Sequence, residues 1–243
     1  MKCFLLAAGF GKRMQELTQK TPKPLLQLGG FPLLEYSIHF AYRLGIREFI
    51  INTHYLGKQI KEYVKSFRNL KFHISHEEEI LGTGGGIRTG IEGIIAKDET
   101  FLLLNPDILF LPNPRFSLKM PQDSSIHLFL QEKQSDNPNT ALYLQENKVS
   151  FSTPSSKNST YFYIGLSTIH AKIIFETIKY NERFELPILL RDLGKKHSLT
   201  GSVFAGDVFD VGTKSEFLTL EDKKIFPGMI ANDEDWQDLQ RKR

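Results

Sequence analysis

The chain has 243 residues, 40% of them hydrophobic and 24% charged, with one cysteine and a formal net charge of +3. That length and apolar content suit one large α/β domain, or a domain with a small lobe, able to bury a real core. The charge is too small to argue for nucleic acid. A lone thiol excludes a disulfide framework or zinc cluster, and no apolar run reaches the length of a membrane span. No signal-peptide pattern precedes the first strand, so a soluble cytoplasmic protein is expected, with no nucleic acid and no membrane among its partners.

Cys3 to Leu6 reads as a buried strand. It breaks into Ala7-Ala8-Gly9-Phe10-Gly11, then Lys12, Arg13 and, in Thr21-Pro22-Lys23-Pro24-Leu25, Lys23. Glycines let a backbone turn sharply and approach a ligand. Successive N–H groups in such a turn form a concave anion site, and the three cations make it a cradle for a polyphosphate. A dinucleotide fingerprint fails here, because Gly11 is followed by Lys12, Arg13 and Met14 with no third glycine. A Walker loop fails because Gly11-Lys12 leads to Arg13 instead of a hydroxyl residue. A plain strand-to-helix turn with solvated cations is the other reading of the loop alone.

Pro32 is expected to start a helix in which Leu33, Leu34, Ser37, Ile38, Ala41 and Leu44 share a face, ended by Gly45. Phe49–Asn52 is a second strand, Ile60, Tyr63, Val64 and Phe67 mark a second helix, and Phe72–Ser75 a third strand. Strand alternating with helix predicts an α/β fold with a mostly parallel, helix-covered sheet. Ligands then bind at the carboxyl ends of the strands, which puts residues 8–13, 52–55 and 76–81 on one rim. His54 and His76 on that rim read either as hydrogen-bonded loop histidines or as substrate contacts.

Glu77 to Gly86 ends in Gly82-Thr83-Gly84-Gly85-Gly86 and reads as a flexible loop entering a helix, with Thr83 as a cap. Its bare backbone could instead lie against a flat base. Phe101–Leu104 is a buried strand delivering Asn105-Pro106-Asp107. Asp107 is either a turn cap or, facing the cationic loop, a carboxylate for magnesium. Ile126–Leu130 is a further strand. Thr140–Leu144 and Lys148–Phe151 form a hairpin around Glu146-Asn147, and Thr153–Thr160 a polar loop. Tyr161–Ser167 is a strand interrupted by Gly165, which marks close approach of a ligand or backbone. Glu185 lies in the first turn of a helix, where its charge suits the dipole. Thr213 can cap a helix over Lys214–Lys224, and Trp236 and Leu239 are placed to dock a polar tail on the domain or a partner. No hexapeptide repeat is visible.

Ala7-Ala8-Gly9-x-Gly11-x-Arg13-Met14 with Pro22-Lys23-Pro24-Leu25 resembles the signature of the sugar-1-phosphate nucleotidyltransferases, and the resemblance runs through Gly212-Thr213. It implies a Rossmann-like three-layer fold with a mixed, mostly parallel central sheet and a small acceptor-side β lobe. It further implies an enzyme that joins a nucleoside triphosphate to a sugar 1-phosphate with Mg²⁺, releasing pyrophosphate. The implied catalytic residues are Arg13, Lys23, Asp107 and Asp210. Ala7, Ala8, Gly9, Gly11, Lys12, Arg13, Lys23, Gly82, Thr83 and Gly84 would bind the nucleotide. Asn105, Gly165 and Glu185 would bind the sugar phosphate, and Asp107 and Asp210 the metal.

Residues 1–224 are expected to form one domain, its nucleotide-binding half 1–110 and its sugar-phosphate half 111–224, followed by a tail over 225–243. A monomer or small homo-oligomer is expected. The Thr-Gly-Gly-Gly loop and Asn52-Thr53-His54-Tyr55-Leu56 resemble most the branch that joins UTP to N-acetylmuramate 1-phosphate. Guanylyltransferases of mannose or heptose 1-phosphate are the alternative. The chain departs from the family at Pro106, where a glycine is usual, and at Asn139-Thr140-Ala141, where muramate relatives carry Gly-Asp-Phe. The Glu-Lys-Pro motif of glucose-type relatives is absent. A non-catalytic nucleotide or sugar-phosphate sensor on the same fold is the reading from another class.

Overall fold

The computed structural model describes residues 1–114, 116–118, 120–121, 124–134, 137–151, 159–221 and 227–239. Its first elements are β1 (Cys3–Leu6), β2 (Gln27–Leu28), β3 (Phe31–Pro32), α1 (Leu33–Arg43), β4 (Glu48–Thr53), α2 (Gly57–Val64) and β5 (Lys71–His76). Next come α3 (Gly82–Gly90), β6 (Thr100–Leu104), β7 (Ile108–Pro112), β8 (Ile126–Glu132), β9 (Leu142–Gln145), β10 (Lys148–Ser150) and β11 (Thr160–His170). α4 (Ala171–Thr177), α5 (Leu186–Lys195), β12 (Leu199–Val203), β13 (Gly206–Asp210), α6 (Lys214–Glu221), α7 (Pro227–Ala231) and α8 (Glu234–Leu239) follow. This is the α/β fold with a mixed central sheet that the sequence predicts. Among the described residues no helix is long and apolar enough to cross a membrane.

The chain divides into two compact units. The first comprises Lys2–Ile80, Leu104–Phe110 and Val208–Arg243. In it β1, β4 and β5 run parallel, with Leu5 beside Ile51 and Ile51 beside Ile74. Cys3–Leu5 and Phe49–Ile51 are wholly buried. Strands covered on both faces read as continuous apolar runs instead of alternating ones, which is why sequence alone located them. Pro32 is the residue before α1, with extended backbone, one position earlier than expected.

The tail is tied into this unit. Trp236 is fully buried, its ring edge-on to His39 and Tyr42 and tilted against Phe67. Its indole N–H donates to Glu35 Oε1 at 3.1 Å. The same buried carboxylate accepts the Tyr63 hydroxyl. His39 donates from Nε2 to Asp233 at 2.8 Å, burial holding the imidazole below its ordinary pKa and therefore neutral.

The second unit comprises Met1, Leu81–Leu103 and Leu111–Asp207. β8 lies between antiparallel β11 and parallel β12. β9 and β10 make the expected hairpin, Gln145 facing Lys148 across Glu146-Asn147, with Glu146 at φ +55° as such tight turns require. In β11 the register shifts between Tyr163 and Ser167, and Gly165 at φ +72° sits in that bulge. One expectation changes here. The glycines at 82–86 are not a loop but the opening turns of α3, and Thr83 lies inside that helix while Leu81 takes the capping position without a side-chain bond.

Candidate active site

The site in the first unit begins where β1 runs out. Ala7 and Ala8 are buried, and the Ala7 N–H donates to Asn52 Oδ1 at 2.8 Å. Gly11 takes φ +65°, a left-handed conformation that residues with a Cβ rarely adopt. The turn is closed by its own carbonyl, which accepts from the Met14 N–H at 2.8 Å and the Thr18 hydroxyl at 3.1 Å. The chain then passes through short tight helical turns over Lys12–Thr18 and Lys23–Leu25. These place Lys12, Arg13 and Lys23 around one cavity of about 440 Å³, lined also by Ala7, Gly9, Gly11, Asp107 and Gly212. That volume lies within the range of ordinary small-molecule sites.

Opposite the glycine turn, Lys23 Nζ lies 2.6 Å from Asp107 Oδ2 in a pair with little solvent access. Asp107 follows Pro106 in the turn Asn105–Ile108, closed by an Ile108 N–H to Asn105 carbonyl bond of 3.1 Å. Pro106 is the second residue of that turn, a position for which proline's fixed φ is suited and whose N–H the turn does not use. Proline at this position is therefore compatible with the turn that presents Asp107.

Asp210 ends β13, and the next residue's N–H, that of Val211, donates to the Asp107 carbonyl at 2.8 Å. Partial burial of the Asp210 carboxylate raises its pKa. Asp107 and then Glu216 add to the rise, while the Gly212 N–H and Lys23 oppose it. Arg13 lies against Gly212, where a Cβ would stand 3.2 Å from both terminal guanidinium nitrogens and 2.7 Å from Asp210 Oδ1. Thr213 and Glu216 then form a reciprocal cap that starts α6: the Thr213 N–H reaches Glu216 Oε2 at 2.8 Å and the Glu216 N–H reaches Thr213 Oγ1 at 3.3 Å.

Asp107 and Asp210, the first raising the proton affinity of the second, fit a divalent cation beside Lys23. Mg²⁺ takes one or two protein carboxylates and completes its shell with phosphate oxygens and water. No cluster of three or more acidic, histidine or cysteine ligands exists among the described residues, so a tight all-protein metal cage is not what the arrangement offers.

Two residues that pattern reading passed over hold the loop. Asn52 Nδ2 donates to Glu77 Oε1 at 2.7 Å, so the amide's oxygen is free for the Ala7 N–H. Both side chains are almost fully buried. His54 donates from Nδ1 to the Glu77 carbonyl at 2.8 Å and meets Phe10 edge-on at 5.3 Å. The signal for this relay was available: a polar Asn at the end of an apolar strand, and one Glu of a run of three placed at the end of the next. His76 meets the Thr53 hydroxyl at 3.4 Å. Both histidines are thus hydrogen-bonded.

The structure brings the remaining expected residues together differently. Ala8 is buried behind the loop, and Asn105 closes the turn before Asp107. Gly82, Thr83, Gly84, Gly165 and Glu185 belong to the second unit. There Glu185, the residue preceding α5, accepts from the Thr83 hydroxyl at 3.4 Å, and the Leu186 N–H donates to Thr83 Oγ1 at 3.0 Å. The Gly84 and Gly85 N–H groups donate to the Phe184 carbonyl at 2.9 and 3.0 Å. A Cβ on Gly85 would stand 2.1 Å from the Glu182 carbonyl oxygen, and one on Gly84 would stand 2.8 Å from the Phe184 ring. These glycines let α3 close onto the 182–185 segment.

Comparison with known proteins gives the family and the fold. The family described as nucleotidyl transferase matches residues 2–140. The N-acetylmuramate alpha-1-phosphate uridylyltransferase of Neisseria meningitidis serogroup B is 29% identical over 221 residues, covering 88% of this chain and 94% of its own. The D-glycero-alpha-D-manno-heptose 1-phosphate guanylyltransferase of Campylobacter jejuni is 27% identical, covering 89% and 97%. The crystal structure of HddC from Yersinia pseudotuberculosis superposes with a TM-score of 0.73 at 20% identity, covering 91% of this chain and 98% of that one, and supports the fold.

Proposed function

Since the chain belongs to the nucleotidyl transferase family and is a sugar-1-phosphate nucleotidyltransferase, we propose that it joins UTP to N-acetylmuramate 1-phosphate in a Mg²⁺-dependent reaction. The observation that carries the transfer chemistry is the Lys23–Asp107 pair, set in a cavity walled by the glycine turn, Lys12 and Arg13.

A phosphate oxygen of the acceptor attacks the α-phosphorus of the triphosphate. A new P–O bond forms as the bridging bond to the β-phosphate breaks, and pyrophosphate leaves. The nucleophile is already an anion, so no general base is needed. The protein's task is to hold two mutually repelling anions in line and to neutralise the charge that develops. Lys12 and Arg13 take the β- and γ-phosphates. Lys23, held by Asp107, takes the α-phosphate and the incoming phosphate, and the N–H groups of residues 9–11 face the triphosphate. Asp107 and Asp210 would hold Mg²⁺, which when bound supplies Lewis-acid charge and orients phosphate oxygens. Gly165 and Glu185 take the sugar. A cytoplasmic enzyme follows from substrates of this kind.

The similarity to a heptose 1-phosphate guanylyltransferase supports a second reading, GTP with a heptose or mannose 1-phosphate. Pyrophosphate release, with UTP, GTP, CTP and dTTP each crossed against N-acetylmuramate, mannose, heptose and glucose 1-phosphates, decides between them. Release with UTP and N-acetylmuramate 1-phosphate supports the proposal. Release only with GTP replaces it with the second reading. Triphosphate binding without release from any pair points to a sensor.

A further inference from the structure

A second cavity, of about 170 Å³, lies within the second unit. It is smaller than a site for a whole ligand, and so suits one part of a ligand. Its polar lining is Asn139, Thr140, Tyr163 and Arg191, and its apolar walls include Leu142 and Phe151. Among the described residues no carboxylate lines it.

Among the described residues Arg191 is the one charge there. It lies 5.7 Å over the Phe151 ring and makes no ion pair among the described residues. Its neighbour Asp192 pairs with Lys196 at 2.7 Å instead. The Tyr163 hydroxyl meets Ser167 at 3.1 Å, and burial pushes its pKa up to about 12, so it stays a neutral phenol. A guanidinium has a planar fork of donors that can bind a carboxylate through two parallel hydrogen bonds.

The cavity shares its elements with residues assigned above to the acceptor. Tyr163 is on β11, which carries Gly165, and Arg191 is on α5, which Glu185 precedes. Resting on the reading that the acceptor is a sugar 1-phosphate, we infer that this cavity receives a carboxylate-bearing, partly apolar substituent of that sugar and that Arg191 is the residue that selects it. Asn139 and Thr140 meet the substituent's neutral oxygens. A neutral hexose leaves Arg191 unpaired and gains nothing from the apolar walls. The acceptor's phosphate is the other anion in the substrate, and Lys23 already answers it.

The test uses two acceptors of equal phosphate charge: N-acetylmuramate 1-phosphate, and N-acetylglucosamine 1-phosphate, which lacks the lactyl carboxylate. Arg191→Gln should lower kcat/KM for the first at least about ten-fold, and leave the second and the melting temperature unchanged. Arg191→Lys, which keeps the charge without the fork, should restore part of the loss. Equal losses with both acceptors, or no loss with either, would overturn the assignment. Calorimetric binding of unphosphorylated N-acetylmuramate separates this inference from the reading beneath it. Binding to the wild type that Arg191→Gln abolishes supports the cavity even where no acceptor is turned over. Absence of binding together with unchanged kinetics in the variant refutes it.

Discussion

The two glycine-rich stretches use the same residue for different reasons. At Gly9 a Cβ would meet nothing within 4 Å, and the space in front of it belongs to the cavity that Lys12, Arg13 and Lys23 surround. At Gly85 a Cβ would stand 2.1 Å from a carbonyl oxygen of the same unit. The first glycine leaves room for something the chain does not contain, whereas the second makes room for the chain itself. In sequence both look like a ligand loop, and only the surroundings of the missing Cβ tell them apart.

The largest expected effect lies on the open side. Lys23→Met removes the cation at the reacting phosphates and leaves Asp107 without its partner at 2.6 Å. Turnover should fall at least a hundred-fold, about 2.7 kcal/mol in the barrier, as steady-state pyrophosphate release would show. The paired substitutions at the two glycines come next. Gly85→Ala should cost stability by about 1–3 kcal/mol, lowering Tm by about 2–4 °C for each kcal/mol. Gly9→Ala should leave Tm unchanged and raise KM for the triphosphate about ten-fold. If Gly85→Ala proved as stable as the wild type, or Gly9→Ala unfolded the protein, the contrast would be wrong.

The relay behind the loop gives a smaller and more specific effect. Asn52→Asp would set one carboxylate against that of Glu77, where the present bond is 2.7 Å, and should lower kcat/KM several-fold. Adding Glu77→Gln restores a donor facing an acceptor, and activity should recover in the double variant. A double variant no better than Asn52→Asp would make the relay incidental.

The smallest effect concerns Asp210. Because its folded pKa is raised, the unfolded chain releases this proton first. Stability is therefore lost as pH rises from the ordinary carboxylate value of 3.8 through the raised folded value, and the loss persists above it. In chelator, Asp210→Asn should melt slightly above the wild type at neutral pH, by less than about 1 kcal/mol since the group reaches solvent. That advantage should vanish near pH 3. Denaturation curves across pH would show a constant difference if the carboxylate were unstrained.

Much of this was legible in the sequence because it rests on local patterns. The apolar runs of β1 and β4, the proline before α1, the hairpin turn at Glu146-Asn147 and the spaced loop motifs each carry their own signal. The short pairing of β7 with β13 carries little, since neither strand is long or clearly patterned. The Asn52–Glu77 relay joins residues 25 apart through strand register, which no short window displays. The role of Trp236 was open because a lone aromatic in a polar tail does not name its partner. Its partner is the buried Glu35, on a helix about two hundred residues earlier, which its indole N–H and the Tyr63 hydroxyl together satisfy.

The claim on which all of this turns is that the cavity beside Asp107 and Asp210 is where a triphosphate and a divalent cation meet. Calorimetric titration of UTP and of GTP into the wild type and into Asp210→Asn, each with Mg²⁺ and with chelator, tests it most directly. Mg²⁺ should tighten wild-type binding of the true donor at least about ten-fold and leave binding to Asp210→Asn nearly unchanged. Equal tightening in both proteins would show that Asp210 holds no metal and would remove the basis of the proposed mechanism.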